Sequence, residues 1–158
     1  MKPVTVVGNV LLDLDVEGTV ERVCPDAPAP VLAVSTEHAR PGGAGLAAAL
    51  LAGRGIPVRL VTALGRDANA QRLRGLLDGS VELITGPAEG ATVVKCRLRA
   101  DGRSLLRADR GTARATAGFG VAVAAELDAA VTDAAAVLVS DYGRGVTGDP
   151  VVRAVVAR

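Results

Sequence analysis

The apolar positions along the chain form short runs of strand length that alternate with helical patterns. Three predominantly apolar runs, at residues 4–7, 58–64 and 135–140, are rich in β-branched or small side chains. Runs without a polar face are typical of strands that are buried on both sides, as in a parallel sheet. Alternation of such strands with helices predicts an α/β fold with a mostly parallel sheet.

Four segments predict the helices that cover this sheet on both faces. Residues 43–53 are Ala- and Leu-rich all round, which suits a buried helix. Asp67 can cap a second helix, in which one face carries the apolar residues Ala70, Leu73, Leu76 and Leu77. A third helix is expected over residues 118–131. Asp149-Pro150 opens a fourth, because it combines a capping side chain with a first-turn proline.

Two segments depart from this alternation of strands and helices, and they predict an accessory sheet. Residues 13–34 contain short alternating strands around Gly18, and a β-hairpin is expected on either side of Asp101-Gly102. Strands inserted between α/β units cannot all join the central sheet, so we expect a small β lid over the ends of its strands. The expected organisation is one domain over residues 1–158, with lid strands at about 13–39 and 92–107.

Charge and composition exclude several classes of partner. The 18 Lys and Arg residues balance 17 Asp and Glu residues, so the chain lacks the basic surface that dominates nucleic-acid affinity or attraction to anionic membranes. The longest apolar stretch, residues 46–52, is far shorter than the roughly 18 residues of a membrane span. We therefore expect a cytoplasmic protein that binds neither nucleic acid nor a membrane.

Polar residues at predicted strand ends are the first candidate site. Asn9 and Asp13 follow the first strand, and ligands of open α/β sheets bind outside the carboxyl ends of the strands. A carboxylate without a charged partner suits a hydroxyl-rich ligand, because it accepts charge-assisted hydrogen bonds. The alternative is that Asp13 only caps a turn. Asp141 follows the strand at 135–140 and would face the same crevice, or else forms an Asx turn.

The glycine run before the helix at 43–53 admits two functional interpretations and one structural one. Gly42 and Gly43 would let the backbone approach a ligand closely. The spacing Gly43-x-Gly45-x-x-Ala48, with Asp67 further on, also matches a dinucleotide-binding fingerprint, which would make the chain an oxidoreductase. That match is weak, because the predicted strand at 31–35 is separated from the glycines. Alternatively, the glycines only permit tight helix packing.

Basic residues on the predicted hairpin are a third candidate. Lys95 and Arg97 share one strand face, and Arg107 with Asp109 lies on the partner strand. These cations can hold a phosphate, although the same alternation describes a solvated hairpin. Arg144, between two glycines, is a further candidate for contact with a bound group.

Taken in order and spacing, these motifs resemble the N-terminal half of a ribokinase/PfkB-type carbohydrate kinase. Within that family they are most similar to the kinase domain of bifunctional heptose-7-phosphate kinase/ADP-heptose synthases. The motifs that carry the resemblance are Gly8-Asn9 with Asp13, Pro-Asp-Ala-Pro at 25–28, Arg-Pro-Gly-Gly-Ala at 40–44, Gly65-x-Asp67, the strand at 92–99 and Ser-Asp-Tyr-Gly-Arg-Gly at 140–145.

The resemblance implies a Rossmann-like core with a β lid and phosphoryl transfer from ATP, with Mg²⁺, to a sugar or sugar phosphate similar to heptose 7-phosphate. Position by position, it implies substrate contacts for Asn9, Asp13, Gly42, Gly43, Lys95, Arg107 and Asp141, and a phosphate contact for Arg144. Two departures are Leu46, where the family usually has Asn, and Arg144, where the nearest relatives have Lys.

The family's Gly-Ala-Gly-Asp anion hole, its catalytic Asp and most of its ATP pocket lie in a C-terminal half that these residues do not match. No catalytic or metal-binding residue is therefore assigned, and we expect the sugar-binding half of a kinase that is inactive by itself. The alternative is a non-catalytic module that binds sugar phosphates or forms a homodimer through the lid.

Overall fold

The computed structural model describes residues 1–158 and contains ten strands and five helices. In chain order these are β1 (Val4–Gly8), β2 (Val10–Val23), β3 (Pro30–Gly43), α1 (Ala44–Ala52), β4 (Val58–Ala63), α2 (Ala68–Leu77), β5 (Glu82–Gly86), β6 (Ala88–Glu89), β7 (Val94–Ala100), β8 (Arg103–Arg110), β9 (Arg114–Ala115), α3 (Phe119–Ala122), α4 (Ala124–Thr132), β10 (Ala136–Ser140) and α5 (Pro150–Val156). No helix is both long enough and apolar enough to cross a bilayer.

The central sheet is parallel throughout, with the strand order β10-β1-β4-β5. Val6 and Leu60 are neighbours in register and fully buried, as expected for β-branched and aliphatic side chains inside a covered parallel sheet. Thr5 is also fully buried, and its hydroxyl donates a hydrogen bond of 2.8 Å to the carbonyl of Ala130. The α/β class with a mostly parallel sheet is confirmed.

Helices cover both faces of this sheet, as predicted. On one face, α1 and α2 form a core with the central strands, including Ala48 and Leu73. On the other face, α3, α4 and α5 form a second core around Phe119 and Leu127. The central sheet therefore separates two apolar cores, and the carboxyl ends of its strands remain at one edge, where the second sheet begins.

The second sheet has the order β3-β2-β7-β8 and is larger than the expected small lid. The predicted short strands of residues 13–34 are in fact β2 and β3, each 14 residues long. The register shifts between Glu17 and Gly18 instead of ending the strand there. A β-bulge accounts for the shift, and Gly18 is required because a Cβ would lie 3.0 Å from the Cα of Val34 and closer still to Ala33.

One face of the second sheet is apolar and the other is charged. Leu12, Leu14 and Val94 on the apolar face are buried in the same core as α1 and α2. Alternation along β2 places Asp13, Asp15 and Glu17 on the opposite face. The sheet thereby joins the central core through one face and presents charge on the other.

Other differences from the sequence prediction have local causes. The edge strand β5 was not predicted, because its run is short and begins with a charged residue. The third helix is divided at Val123 into α3 and α4. Near its start, the Gly120 N–H, which has no acceptor within the helix, donates to the Asp149 carboxylate at 3.1 Å. Leu76, expected on the apolar face of α2, is 37% exposed.

Candidate functional site

The side chain of Asn9 links the end of β1 to the loop that follows β10 through two hydrogen bonds. Its side-chain N–H donates to the Arg144 carbonyl at 3.1 Å, and its side-chain oxygen accepts from the Arg144 N–H at 3.3 Å. The residue is only 4% exposed. Asn9 therefore holds the two strand-end segments together, and each of its polar atoms keeps capacity for one more hydrogen bond.

Gly43 provides a close approach between this corner and α1. Its φ of 63° favours glycine, and an added Cβ would lie 2.5 Å from the Asn9 carbonyl oxygen and 3.5 Å from the ring of Tyr142. The Ala44 N–H donates to the same Asn9 carbonyl at 2.9 Å. The glycine, the strand end and the aromatic ring therefore meet at one point.

Gly42 provides a second close approach, to Asp13. An added Cβ would lie 2.5 Å from Asp13 Oδ2, and Leu11 would be closer still. The two strands pair here, with Leu11 opposite Gly42 and Asp13 opposite Arg40. A side chain at position 42 would therefore displace the Asp13 carboxylate.

Asp13 is not the uncompensated carboxylate that the sequence suggested. Arg97 donates from Nη1 to Asp13 Oδ1 at 3.0 Å, and the same nitrogen lies 3.9 Å from Asp15 Oδ1. Arg40 forms an ion pair with Asp15 Oδ2. The two carboxylates are each 7% exposed and are neutralised by two guanidinium groups.

The predicted basic contacts differ in their partners. Lys95 is half-buried beside Asp13 in the sheet register and has no carboxylate within ion-pair distance. Arg107 is exposed and forms an ion pair with Asp109 at 2.9 Å. Arg144 has no carboxylate partner, and its guanidinium approaches the Ala113 carbonyl at 3.4 Å. Lys95 and Arg144 thus keep their charge available to a ligand.

Asp141 forms an Asx turn. Its Oδ1 accepts from the Gly143 N–H at 2.8 Å. Hydrogen bonds from Gly143 and from the Thr147 hydroxyl hold the pKa of this exposed carboxyl below its usual range. The neighbouring Tyr142, rather than Asp141, makes the observed approach to Gly43.

Close approaches join most of the predicted residues into one group. Asp13 meets Gly42, Gly43 meets Asn9, and Asn9 meets Arg144. Lys95 is the strand neighbour of Asp13, whereas Arg107 lies one strand further out and Asp141 points into its own turn. We call Asn9, Asp13, the Gly42–Gly43 pair and Tyr142 the crevice group.

Asp15, Arg40 and the ring of Tyr142 were missed as candidate functional groups. The signal for Asp15 was present: acidic residues alternate along β2 and basic residues along β7, so parallel pairing places opposite charges side by side. Arg40 lies on β3, and only the antiparallel register of β2 with β3 brings it beside these carboxylates. The contact of Tyr142 depends on a loop conformation that no spacing rule predicts.

The structure excludes a dinucleotide-binding site at the glycine run, but for a different reason from the one that the sequence offered. The strand β3 does run directly into Gly43, so the expected separation was wrong. However, β3 pairs antiparallel with β2 in the second sheet, whereas the fingerprint requires a parallel βαβ unit. Asp67 caps α2, accepting from Asn69 and Ala70, and binds Thr92, so all of its acceptor capacity is engaged.

The larger cavities of the molecule lie away from the crevice group. One of about 620 Å³ is lined partly by Arg66, Arg74 and Thr85, and another of about 450 Å³ by Pro3, Pro57 and Gly79. The crevice group, unlike these cavities, includes Asn9 at the carboxyl end of β1, where ligands of open α/β sheets bind.

Curated proteins similar in sequence to this chain are found by comparison. No protein-family model matches the chain. The bifunctional protein HldE of Streptomyces coelicolor is 44% identical over 143 residues, which are 90% of this chain and 30% of that protein. HldE of Caulobacter vibrioides is 38% identical over 156 residues, 96% of this chain and 32% of that protein.

Solved structures agree on the fold. Phosphofructokinase-2 from Escherichia coli, in a tetrameric inhibited form, superposes with a TM-score of 0.65 at 18% identity, covering 89% of this chain and 45% of that one. Arabidopsis thaliana ribokinase complexed with ribose and ATP gives 0.53 at 18% identity, covering 87% and 45%. The chain has a ribokinase-type carbohydrate-kinase fold.

The predicted resemblance to ribokinase-type carbohydrate kinases is therefore confirmed, and the sequence similarity to HldE agrees with it. The chain spans about a third of the length of the curated relatives that it matches, and under half of these solved structures.

The 158 residues do not themselves fit a complete ATP and Mg²⁺ site. No three acidic, His or Cys side chains lie together as metal ligands. No step of phosphoryl transfer is assigned to these residues.

Proposed function

We propose that this chain is the sugar-binding part of an ATP-dependent carbohydrate kinase. The kinase would transfer the γ-phosphoryl group of ATP to a sugar or sugar phosphate similar to heptose 7-phosphate, and these residues alone would not turn over. The single observation that carries the proposal is the close approach of the Asp13 carboxylate to Gly42 where β2 and β3 pair, a few residues beyond the end of β1. Support for the class of ligand comes from neighbours described with fructose 6-phosphate and with ribose and ATP.

The chemistry of the crevice group suits a polyhydroxylated ligand. Asp13 Oδ1 is engaged by Arg97, whereas Oδ2 has no hydrogen-bond donor in the chain and can accept from a sugar hydroxyl. The glycine pair leaves backbone rather than side chains at this point, and Asn9 has spare hydrogen-bonding capacity on the neighbouring strand end. These groups are suited to hydroxyl recognition.

The free cations suit the phosphate of a sugar phosphate. Lys95 is the strand neighbour of Asp13 and has no ion-pair partner, so an anionic group can approach it without displacing a carboxylate. Arg144 offers a second unpaired guanidinium, next to Asn9. We assign Arg107 a secondary contribution, because a ligand would compete with Asp109 for it.

ATP and Mg²⁺ belong to the proposal through the family resemblance. When bound, they would supply the transferred phosphoryl group and neutralise its charge. The residues described here would bind and orient the acceptor sugar. A cytoplasmic location is part of the same proposal.

Calorimetric titration of the full chain tests the proposal. We expect heptose 7-phosphate to bind without ATP, and Asp13→Asn to weaken binding about 10- to 100-fold, because one charge-assisted hydrogen bond is worth roughly 1.5–3 kcal/mol. The matched control is Asp101→Asn at the hairpin tip, where φ is 51° and Asn is tolerated. Binding that is equally strong for both variants, or no binding by the unmodified chain, would contradict the proposal.

The second candidate is a non-catalytic module that binds sugar phosphates or forms a homodimer. Every residue of the edge strand β8 is exposed, including Leu106 at 58%, and such an edge can pair with another chain. The same titrations separate the candidates. A kinase part should bind sugar more tightly with an ATP analogue once the rest of the catalytic domain is added. A module should bind identically, and sedimentation would report a dimer.

A further inference from the structure

We propose that Arg97 positions the Asp13 carboxylate, so that one defined oxygen faces the sugar. The inference rests on the proposed function, in which Asp13 accepts a hydrogen bond from a sugar hydroxyl. Arg97 touches Asp13 and not the crevice itself, which makes it a positioning residue. Asp15 and Arg40 complete a four-membered row of alternating charge.

The sheet register places this row on one face. Strands β2 and β7 are parallel, with Asp13 opposite Lys95 and Asp15 opposite Arg97. Residues two apart on a strand are about 7 Å apart and point the same way. The Arg97 guanidinium can therefore reach back to Asp13 at 3.0 Å while it remains 3.9 Å from Asp15.

Of the two carboxylate oxygens of Asp13, Oδ2 is the one left to face the ligand. Arg97 Nη1 occupies Asp13 Oδ1, and the other oxygen, Oδ2, lies against Gly42, where a Cβ would be 2.5 Å away. With one oxygen anchored and the other beside a residue without a side chain, the carboxylate has one orientation. Only a residue without a side chain fits against Oδ2 here, so Gly42 admits the carboxylate in this orientation.

Arg40 keeps Asp15 from competing for Arg97. It forms an ion pair with Asp15 Oδ2, whereas the Arg97 nitrogen approaches Asp15 only through Oδ1. The Asp13 and Asp15 side chains are both 11% exposed, so their charges interact in a partly desolvated setting where a missing cation has a large effect. Two carboxylates and two guanidinium groups make the row neutral, which leaves Lys95 as the unpaired charge next to Asp13 in the sheet.

Binding of heptose 7-phosphate to four variants of the full chain tests the inference as a double-mutant cycle. We expect Arg97→Gln to weaken binding about tenfold and Arg97→Lys to weaken it less, because Lys keeps the charge but not the planar fork. In an Asp13→Asn background, Arg97→Gln should change affinity less than twofold, because Arg97 acts through that carboxylate. The matched control is Arg99→Gln, on the same strand as Arg97, which removes the ion pair with Glu17 of β2 and should have little effect.

A measurement without ligand keeps the test independent of affinity. The guanidinium NMR signals of Arg97 should show slowed rotation and proton exchange, and Asp13→Asn should abolish both effects. If Arg97→Gln does not fold, Arg97→Lys replaces it in the binding cycle. Additive effects in the cycle, or Arg97 signals unaffected by Asp13→Asn, would overturn the positioning role and leave the proposed function intact. An Asp13→Asn variant that binds normally would overturn the proposed function and this inference with it.

Discussion

The two sheets of the molecule differ in whether their charged side chains are buried. In the central sheet the interior is aliphatic, and its polar members are threonines such as Thr5 and Thr62. Arg59, near the start of β4, forms ion pairs with exposed Glu82 and Asp133. In the second sheet, by contrast, the carboxylates of Asp13 and Asp15 are buried. Buried charge is costly, and of the two sheets only the second contains it; the proposed function assigns ligand binding to this sheet and the role of scaffold to the central one.

This difference separates stability from recognition. Fully buried Leu60 and Val6 contribute apolar burial, which drives folding and has no directional requirement. The carboxylate of Asp13 is directional, and it depends on Arg97 and on the space beside Gly42. Substitutions in the first sheet should therefore reduce the free energy of unfolding, whereas substitutions on the charged face of the second should change ligand affinity first.

The largest expected effect is on stability. Leu60→Ala should lower the free energy of unfolding by about 2–5 kcal/mol, because it removes a fully buried side chain from the centre of the parallel sheet. Leu106→Ala, on the exposed edge of the second sheet, should change it by no more than about 0.5 kcal/mol. Denaturant titration of both variants measures the difference. Equal losses in the free energy of unfolding would mean that the exposed edge strand β8 contributes as much apolar burial as the centre of the parallel sheet.

An intermediate effect is expected at the glycine that faces Asp13. Gly42→Ala should abolish sugar-phosphate binding and lower stability by about 1–3 kcal/mol, because the new Cβ would overlap Asp13 Oδ2 and Leu11. Gly75→Ala is the matched control. No atom lies within 4 Å of its Cβ position, and α2 should gain up to about 1 kcal/mol. Normal affinity in Gly42→Ala would show that the carboxylate can move without consequence.

The same contrast explains what could be predicted from the sequence. The strands at 4–7 and 58–64 were predictable because continuous burial leaves an unambiguous apolar run. The length of β2 was not, because a bulge at Gly18 looks like a strand end in the sequence. The pairing of Asp13 with Arg97 joins residues 84 positions apart, and only the parallel register of β2 with β7 brings them together.

The smallest expected effect is at Asp67, which joins the two regions. It caps α2 through Oδ1 and accepts from the N–H and hydroxyl of Thr92, just before β7, through Oδ2. Asp67→Asn should cost about 1 kcal/mol, because the amide can retain the cap but its nitrogen cannot accept from Thr92. Denaturant titrations of the unmodified chain and the variant at a series of pH values measure this difference.

The pH dependence of that difference has a defined sign. Burial raises the pKa of Asp67, but hydrogen bonds from Thr92, Ala70 and Asn69 outweigh it, so the pKa in the folded chain is below the usual value. The unfolded chain therefore takes up the proton first as the pH falls. The stabilisation is complete above the ordinary Asp pKa of about 3.9 and is lost as the pH falls through the lower folded value. The difference in the free energy of unfolding between the unmodified chain and Asp67→Asn should thus stay constant from neutral pH to about pH 5 and become smaller below about pH 4. A gap that persisted undiminished in acid would mean that the hydrogen bonds to Thr92 do not depend on the charge of Asp67.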